Sequence, residues 1–200
     1  MTLGAIYALI ALGYTLVYGV LRLINFAHSE IFTVGVFASL FSLHALGVNA
    51  ADPARTGLSL VFTLLGVLVL AMAASGVAAV VMERIAYRPL RRRGAPRLAF
   101  LITAIGVSLF VQELFAVRYG RNVLGFPRVL AKEPLFSFFG ADVRTDKVLV
   151  VMAALVLMAG LDAFVRRTRL GRGIRATAQD PDTARLMGVD IDRVVAVTFL

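Results

Sequence analysis

Leu3-Gly4-Ala5-Ile6-Tyr7-Ala8-Leu9-Ile10-Ala11-Leu12-Gly13-Tyr14-Thr15-Leu16-Val17-Tyr18-Gly19-Val20-Leu21 runs nineteen residues without a charge. As a helix it is about 28 Å long, close to the roughly 30 Å hydrocarbon core of a bilayer. It is too long and too rich in Gly and Tyr for the core of a signal peptide, and no basic region precedes it. Outward from it, further apolar runs occupy Ile31–Leu46, Leu58–Met82, Leu98–Val117 and Val148–Val165, and a last one begins near Val194. The apolar residues come in blocks, not in the alternation that half-buried strands require. The sequence therefore predicts an all-α, polytopic membrane bundle of about five spans plus the start of a sixth. Residues 1–200 read as one transmembrane domain. A run that starts at Val194 and stops at Leu200 would leave helix carbonyls unpaired in lipid, so the chain is expected to be a fragment truncated at its C-terminus.

Composition agrees. The 200 residues are 60% hydrophobic and only 16% charged, with a mean hydropathy of +0.86; an ordinary soluble domain is about a quarter charged. With no cysteine, disulfides, thiol nucleophiles and thiolate metal sites are excluded. A net charge of +9 could point to nucleic acid, but most basic residues lie between apolar runs. That placement speaks for membrane lipid and against nucleic acid. If runs one to five all span, segments 22–30, 83–97 and 166–193 share one side and hold fourteen Lys or Arg residues, against seven in 47–57 and 118–147. The positive-inside rule then puts the first set in the cytoplasm and the N-terminus outside. The 118–147 segment, with its Gly, Pro and Phe, reads as a structured external excursion.

Within the first run, Gly4, Ala8, Ala11, Thr15 and Gly19 form a stripe of small side chains at helical spacing, with Tyr7, Tyr14 and Tyr18 beside it. Such stripes usually let helices approach closely in lipid, and this one is read as a packing face. The tyrosines could instead offer hydroxyls to a path. More informative is Asn25-Phe26-Ala27-His28-Ser29-Glu30, directly ahead of the shortest run. Sixteen residues give about 24 Å, short of the core thickness. One reading is a broken second helix that begins within this segment and carries polar groups into the membrane, as at transporter translocation sites. The other is an ordinary turn, with Asn25 starting the next helix and Glu30 near its positive end.

Enzyme chemistry finds no foothold. His28, Ser29 and Glu30 are consecutive, so their side chains diverge and cannot form a relay. The H-x-E form lacks the cysteine pair of zinc deaminases, and His44 has no HExxH context. No GxxxxGK[ST] phosphate loop occurs, so no cofactor, metal or catalytic residue is assigned. Glu113 and Asp162 stand near the ends of their runs, where they can reach an interface, and Asp162 precedes Arg166 by four, a favourable helix pair. Ser108 and Gln112 read as hydrogen bonds between helices.

In the last segment, Asp180-Pro181-Asp182-Thr183-Ala184-Arg185-Leu186-Met187-Gly188 has its own start and stop signals. Asp180 serves as N-cap, Pro181 suits the first helical position and Gly188 the C-terminal cap. A short capped helix with apolar Ala184, Leu186 and Met187 is expected to dock on a cytoplasmic partner.

These blocks carry a resemblance. Gly4 through Thr15, followed by Asn25 through Glu30, closely resembles the opening of bacterial branched-chain amino-acid ABC transporter permeases of the H type. Glu83-Arg84-Ile85-Ala86-Tyr87-Arg88-Pro89-Leu90-Arg91 and Thr103-Ala104-Ile105-Gly106-Val107-Ser108 are similar to the family's loop after its third helix and to the start of its next helix. Leu170 through Ala176, with Asp180, Ala184 and Gly188-Val189, resembles its ATPase-facing loop. The order and spacing match over essentially all 200 residues. Ser29 departs from the family's usual Gly; a positive φ there would cost about 1 kcal/mol. Asp182-Thr183-Ala184 through Gly188 matches the general EAA-x-x-x-G coupling motif only loosely.

The resemblance implies a permease of the bacterial inner membrane that imports leucine, isoleucine or valine by alternating access. Its implied partners are a second related permease, two cytoplasmic ATPase subunits and a periplasmic binding protein. Asn25, Phe26, His28, Ser29, Glu30, Tyr7 and Tyr14 are candidates for the pathway. Arg175, Ala176, Asp180, Ala184, Leu186 and Gly188 are candidates for ATPase coupling within 166–193. A related permease for urea or short amides shares much of the pattern, and an ion-coupled secondary transporter is a more distant alternative.

Overall fold

The computed structural model describes residues 2–22, 24–48, 57–122, 124–127, 129–130, 134–138 and 141–200, with 134–138 and 141–143 as backbone only. The elements follow the apolar blocks: α1 (Thr2–Leu21), α2 (His28–Ala45), α3 (Gly57–Met82), α4 (Arg88–Arg92) and α5 (Arg97–Tyr119), then β1 (Pro134–Phe138), β2 (Ala141–Arg144), α6 (Thr145–Arg167), α7 (Arg169–Gln179), α8 (Pro181–Leu186) and α9 (Ile191–Phe199). Among the described residues four helical stretches are long and apolar enough to cross a bilayer: α1, the continuous Gly57–Arg92, α5 and α6. The second helix is not among them. It is a helical membrane bundle, and β1 and β2 add to it one antiparallel hairpin, Pro134 facing Arg144 and Phe138 facing Ala141.

Three segments read as loops are helical. After Met82 the chain continues through a π-helical turn, Glu83–Tyr87, into α4. The Arg88 N–H donates to the Glu83 carbonyl five residues back. Pro89 lacks an N–H and its ring crowds the carbonyl four residues earlier, and the wider turn relieves that conflict without ending the helix. The Arg-rich stretch 169–179 forms α7, whose buried Gly171, Ile174 and Thr177 make one narrow face. Asp190 caps α9 by accepting the Arg193 N–H at 3.1 Å, so that helix starts at Ile191 and not near Val194.

The core sits at the Arg-rich end, where Val17, Val20, Tyr87, Phe100, Ile174, Val194, Val195 and Phe199 are packed together. Above it α2 lies on α3 at very close range. A Cβ on Gly35 would fall 2.4 Å from Ser75 Oγ, and that hydroxyl donates to the Ile31 carbonyl at 3.3 Å. The small-residue stripe does not serve internal packing as expected. Gly4, Ala8, Ala11 and Thr15 are exposed, and nothing lies within 4 Å of a Cβ placed on Gly4 or Gly19. The stripe faces outward because α6, α7 and α9 pack on the other side of α1, around Val17 and Val20.

Candidate functional site

Three separate helices fix the height at which α2 begins. The His28 ring lies on α1 at Gly13, where a Cβ would meet Nε2 at 2.9 Å, and it tilts against Tyr14 with centroids 4.5 Å apart. Ser108 Oγ donates to Glu30 Oε1 at 3.1 Å, and Ser108 stands eleven residues from each end of Arg97–Tyr119. Ser75, bonded to Ile31, is at the centre of Gly57–Arg92. The first turn of α2 is therefore at mid-height of the bundle, about 17 Å from either end of α5. The 18 residues of α2, about 27 Å of helix, more than cover the remaining depth.

The chain reaches that height by climbing back from the end of α1. Arg22, the one non-glycine residue with positive φ among those described (52°), reverses the direction. Irregular backbone at such depth must find partners within the protein. Asn25 supplies them. It is 3% exposed; its Oδ1 accepts the Ala27 N–H at 3.1 Å and the Tyr87 hydroxyl at 2.7 Å. Tyr87 is itself stacked on Phe100 and set against Phe199, so Asn25 pins the climb to the core. Ser29 has helical backbone and carries no positive φ, which removes the strain expected of it.

The pathway candidates therefore divide. Asn25 is enclosed. His28 faces α1 beside a cavity of about 180 Å³ that Leu16, Phe164 and Thr198 also line. Glu30 faces α5, with Ser29 and Phe26 exposed near it. Tyr14 is half-buried under His28, whereas Tyr7 is exposed and apart from the others. Farther out, Phe37, Phe41, Phe115 and Tyr119 cluster, Phe37 and Phe115 with centroids 4.4 Å apart. A cavity of about 210 Å³ between Val36, Phe37, Leu40, Asn122, Leu124 and Phe126 follows.

At the opposite, basic end the helix around Asp180 is built as its caps demand. The Asp180 carboxylate accepts from the Asp182 N–H at 3.0 Å and from the Thr183 hydroxyl. Those bonds, the Thr183 hydroxyl first, hold its carboxyl below the usual range. Gly188 has a φ of 84°, a conformation that favours glycine. Ala184 is 4% exposed and belongs to the core, so it anchors α8 from inside. Leu186 and Met187 point away at 88% and 80% exposed. Arg175 is exposed and bonds to the Val165 carbonyl, and Ala176 is half-buried.

Two features of this end carry no sequence signal. The Arg22 guanidinium donates to the Gln179 carbonyl at 3.0 Å, closing the C-terminus of α7. Glu83, fully buried, takes Arg88 and Arg91 at 2.9 Å each. Arg91 also reaches Asp192 at 2.6 Å, and Arg92 reaches it at 2.9 Å. This cluster ties α4 to the start of α9 and holds Asp192 below the usual carboxylate range, Arg91 being the main cause.

The chain is thus a helical membrane bundle whose second helix begins at mid-height, with a polar first turn and a separately capped helix at the basic end. The chain belongs to the family described as branched-chain amino acid transport system / permease component, whose sequence profile matches residues 1–200. It is 37% identical over 204 residues to the high-affinity branched-chain amino acid transport system permease protein LivH of Escherichia coli K12, covering 100% of this chain and 63% of that protein. It is 33% identical over 203 residues to the corresponding permease protein BraD of Pseudomonas aeruginosa, covering 100% and 64%. To the probable branched-chain amino acid transport permease protein LivH of Methanocaldococcus jannaschii it is 24% identical over 192 residues, 92% of this chain and 55% of that protein. The chain thus spans less than two thirds of the length of these relatives. No solved structure matches it.

Proposed function

We propose that the protein is a permease subunit of an ABC importer that carries leucine, isoleucine or valine across the bacterial inner membrane, its N-terminus on the periplasmic side. It pairs with a second related permease, two cytoplasmic ATPases drive it, and a periplasmic binding protein loads it. The transport systems to which the relatives belong support the substrate class. The observation that carries the ATPase partnership is the Leu186–Met187 pair, two large apolar side chains almost fully exposed where a six-residue helix ends at the basic end. A helix so short is marginal alone. Its caps and Ala184 keep it folded, and the pair is left for a partner surface. ATP binding and hydrolysis in that partner then bias the bundle between outward- and inward-facing states, while the first turn of α2 lines the route between them.

The test is the full-length subunit expressed with its ATPases, second permease and binding protein. The complex should copurify with two ATPase subunits and accumulate leucine in proteoliposomes in an ATP-dependent way. Leu186→Asp with Met187→Asp should cut binding-protein-stimulated hydrolysis at least tenfold. Unchanged coupled hydrolysis in that double variant would return α8 to a lipid- or water-facing role.

A further inference from the structure

Five carboxylates with described side chains stand on α2, α6 or the Gly57–Tyr119 stretch: Glu30, Glu83, Glu113, Asp146 and Asp162. Four of them have an arginine. Glu83 has Arg88 and Arg91, Glu113 has Arg121, Asp146 has Arg144 and Asp162 has Arg166. Glu30 differs. It is half-buried, lies at mid-height, and takes only neutral hydroxyls, Ser108 at 3.1 Å and Ser29 at 3.4 Å. Among the described residues no basic nitrogen pairs with it. A carboxylate at membrane depth is costly without a cation, and such groups mark the path of a charged solute.

Building on the transport reading above, we propose that Glu30 is the counter-charge for the α-ammonium group of a zwitterionic amino acid in transit, and that Ser108 positions it. Ser108 holds one carboxylate oxygen, which leaves the other, Oε2, to accept from an ammonium N–H. Ser29, exposed beside it, offers a further oxygen. The side chain of the molecule to be carried is apolar, and so is the wall leading outward. Phe37 lies two turns farther along α2 and packs at a tilt against Phe115 and Tyr119; beyond it is the cavity between Val36, Leu40 and Leu124. A neutral solute such as urea could hydrogen-bond to a carboxylate but brings no cationic charge to balance it, so the site favours a solute that carries an ammonium group.

Glu30→Gln separates the charge from the hydrogen bond, because the amide oxygen still accepts from Ser108. In proteoliposomes holding the complete transporter, binding protein and radiolabelled leucine, this variant should lose at least tenfold in uptake. Its subunits should stay assembled and its ATPase should still respond to loaded binding protein. Glu30→Asp should keep a measurable fraction of uptake. Ser108→Ala should raise the KM for loaded binding protein several-fold, and Ser108→Thr should restore it. Wild-type uptake in Glu30→Gln, beside an active wild type, would overturn the inference alone. Loss of the second permease from the Glu30→Gln complex would also overturn it, by showing that the missing cation belongs to that subunit. A wild-type complex that accumulates no amino acid would overturn the transport reading, and this inference with it.

Discussion

Glu83 shows how a residue that looks like part of a charged loop becomes the centre of a helix junction. In sequence it stands in a run of arginines, and no local pattern says which of them it meets. The π-helical turn brings Arg88 and Arg91 to its two oxygens in a space closed to solvent. A buried carboxylate with two guanidinium partners is poor evidence of net stabilisation, yet removing one member leaves charge uncompensated. Glu83→Gln should therefore lower stability by about 3 kcal/mol, read as a fall in thermal midpoint of the purified protein in detergent. Asp192 adds a dependence on pH. Its folded pKa lies below the unfolded value because of Arg91 and then Arg92. The stability it contributes is then complete above the unfolded value and lost as pH falls through the folded one. The thermal midpoint should drop below about pH 4. Asp180 is shifted in the same direction and adds to the same decline, so the measurement is the difference between wild type and Asp192→Asn. That difference should shrink towards zero on acidification.

Elements were legible where a single physical signal dominates. Long apolar blocks gave α1, α3, α5 and α6, and cap chemistry placed α8 within a residue or two, because Asp180, Pro181 and Gly188 each act locally. The loop readings failed where the deciding partner is distant. The segment 83–97 reads as a loop between spans, yet the wider turn at Glu83 accommodates Pro89 and the helix runs on, and α7 shows no apolar run because its buried face is only Gly171, Ile174 and Thr177. Of the candidate site, the depth of His28 and Glu30 was left open by the sequence, since Gly13 and Ser108 set it from other helices. Gly171 gives the clearest test at this scale. Its N–H caps onto Thr168 Oγ at 2.9 Å, and a Cβ there would lie 2.2 Å from the Val165 carbonyl oxygen. Backbone cannot rotate away as a side chain can, so Gly171→Ala should force α6 and α7 apart at about 3 kcal/mol. Gly66→Ala meets nothing within 4 Å and should be neutral or stabilise by up to about 1 kcal/mol. Thermal midpoints of the two variants in detergent compare them directly.

At the scale of the whole molecule the charge asymmetry of the sequence becomes a spatial one. Arg22 closes α7, Arg91 and Arg92 hold the start of α9, and Arg175 bonds to the end of α6. Arg22, α4 and the α7–α8 region, from three separate stretches of chain, thus meet at one end. The other end has Arg118, whose guanidinium lies 5.4 Å from the Tyr119 ring centre, and Arg121, paired with Glu113. Loops with more Lys and Arg stay in the cytoplasm, so the proposed orientation has α1 entering from outside and α8 on the cytoplasmic side, where a nucleotide-driven partner could reach Leu186 and Met187. Asp52, which the sequence places with Arg121, lies outside the described residues, so the pair to compare is Arg121 and Arg185. Both are exposed. Arg185 makes no ion pair among the described residues, while the Arg121 pair is on the surface and worth at most about 1 kcal/mol, so cysteine at either position leaves the fold intact. Residues 1–200 contain no cysteine to interfere. An impermeant maleimide applied to intact spheroplasts should label Arg121→Cys and reach Arg185→Cys only after permeabilisation. Labelling of position 185 in intact spheroplasts, with position 121 protected, would reverse the orientation and move the Leu186–Met187 surface to the side without ATP.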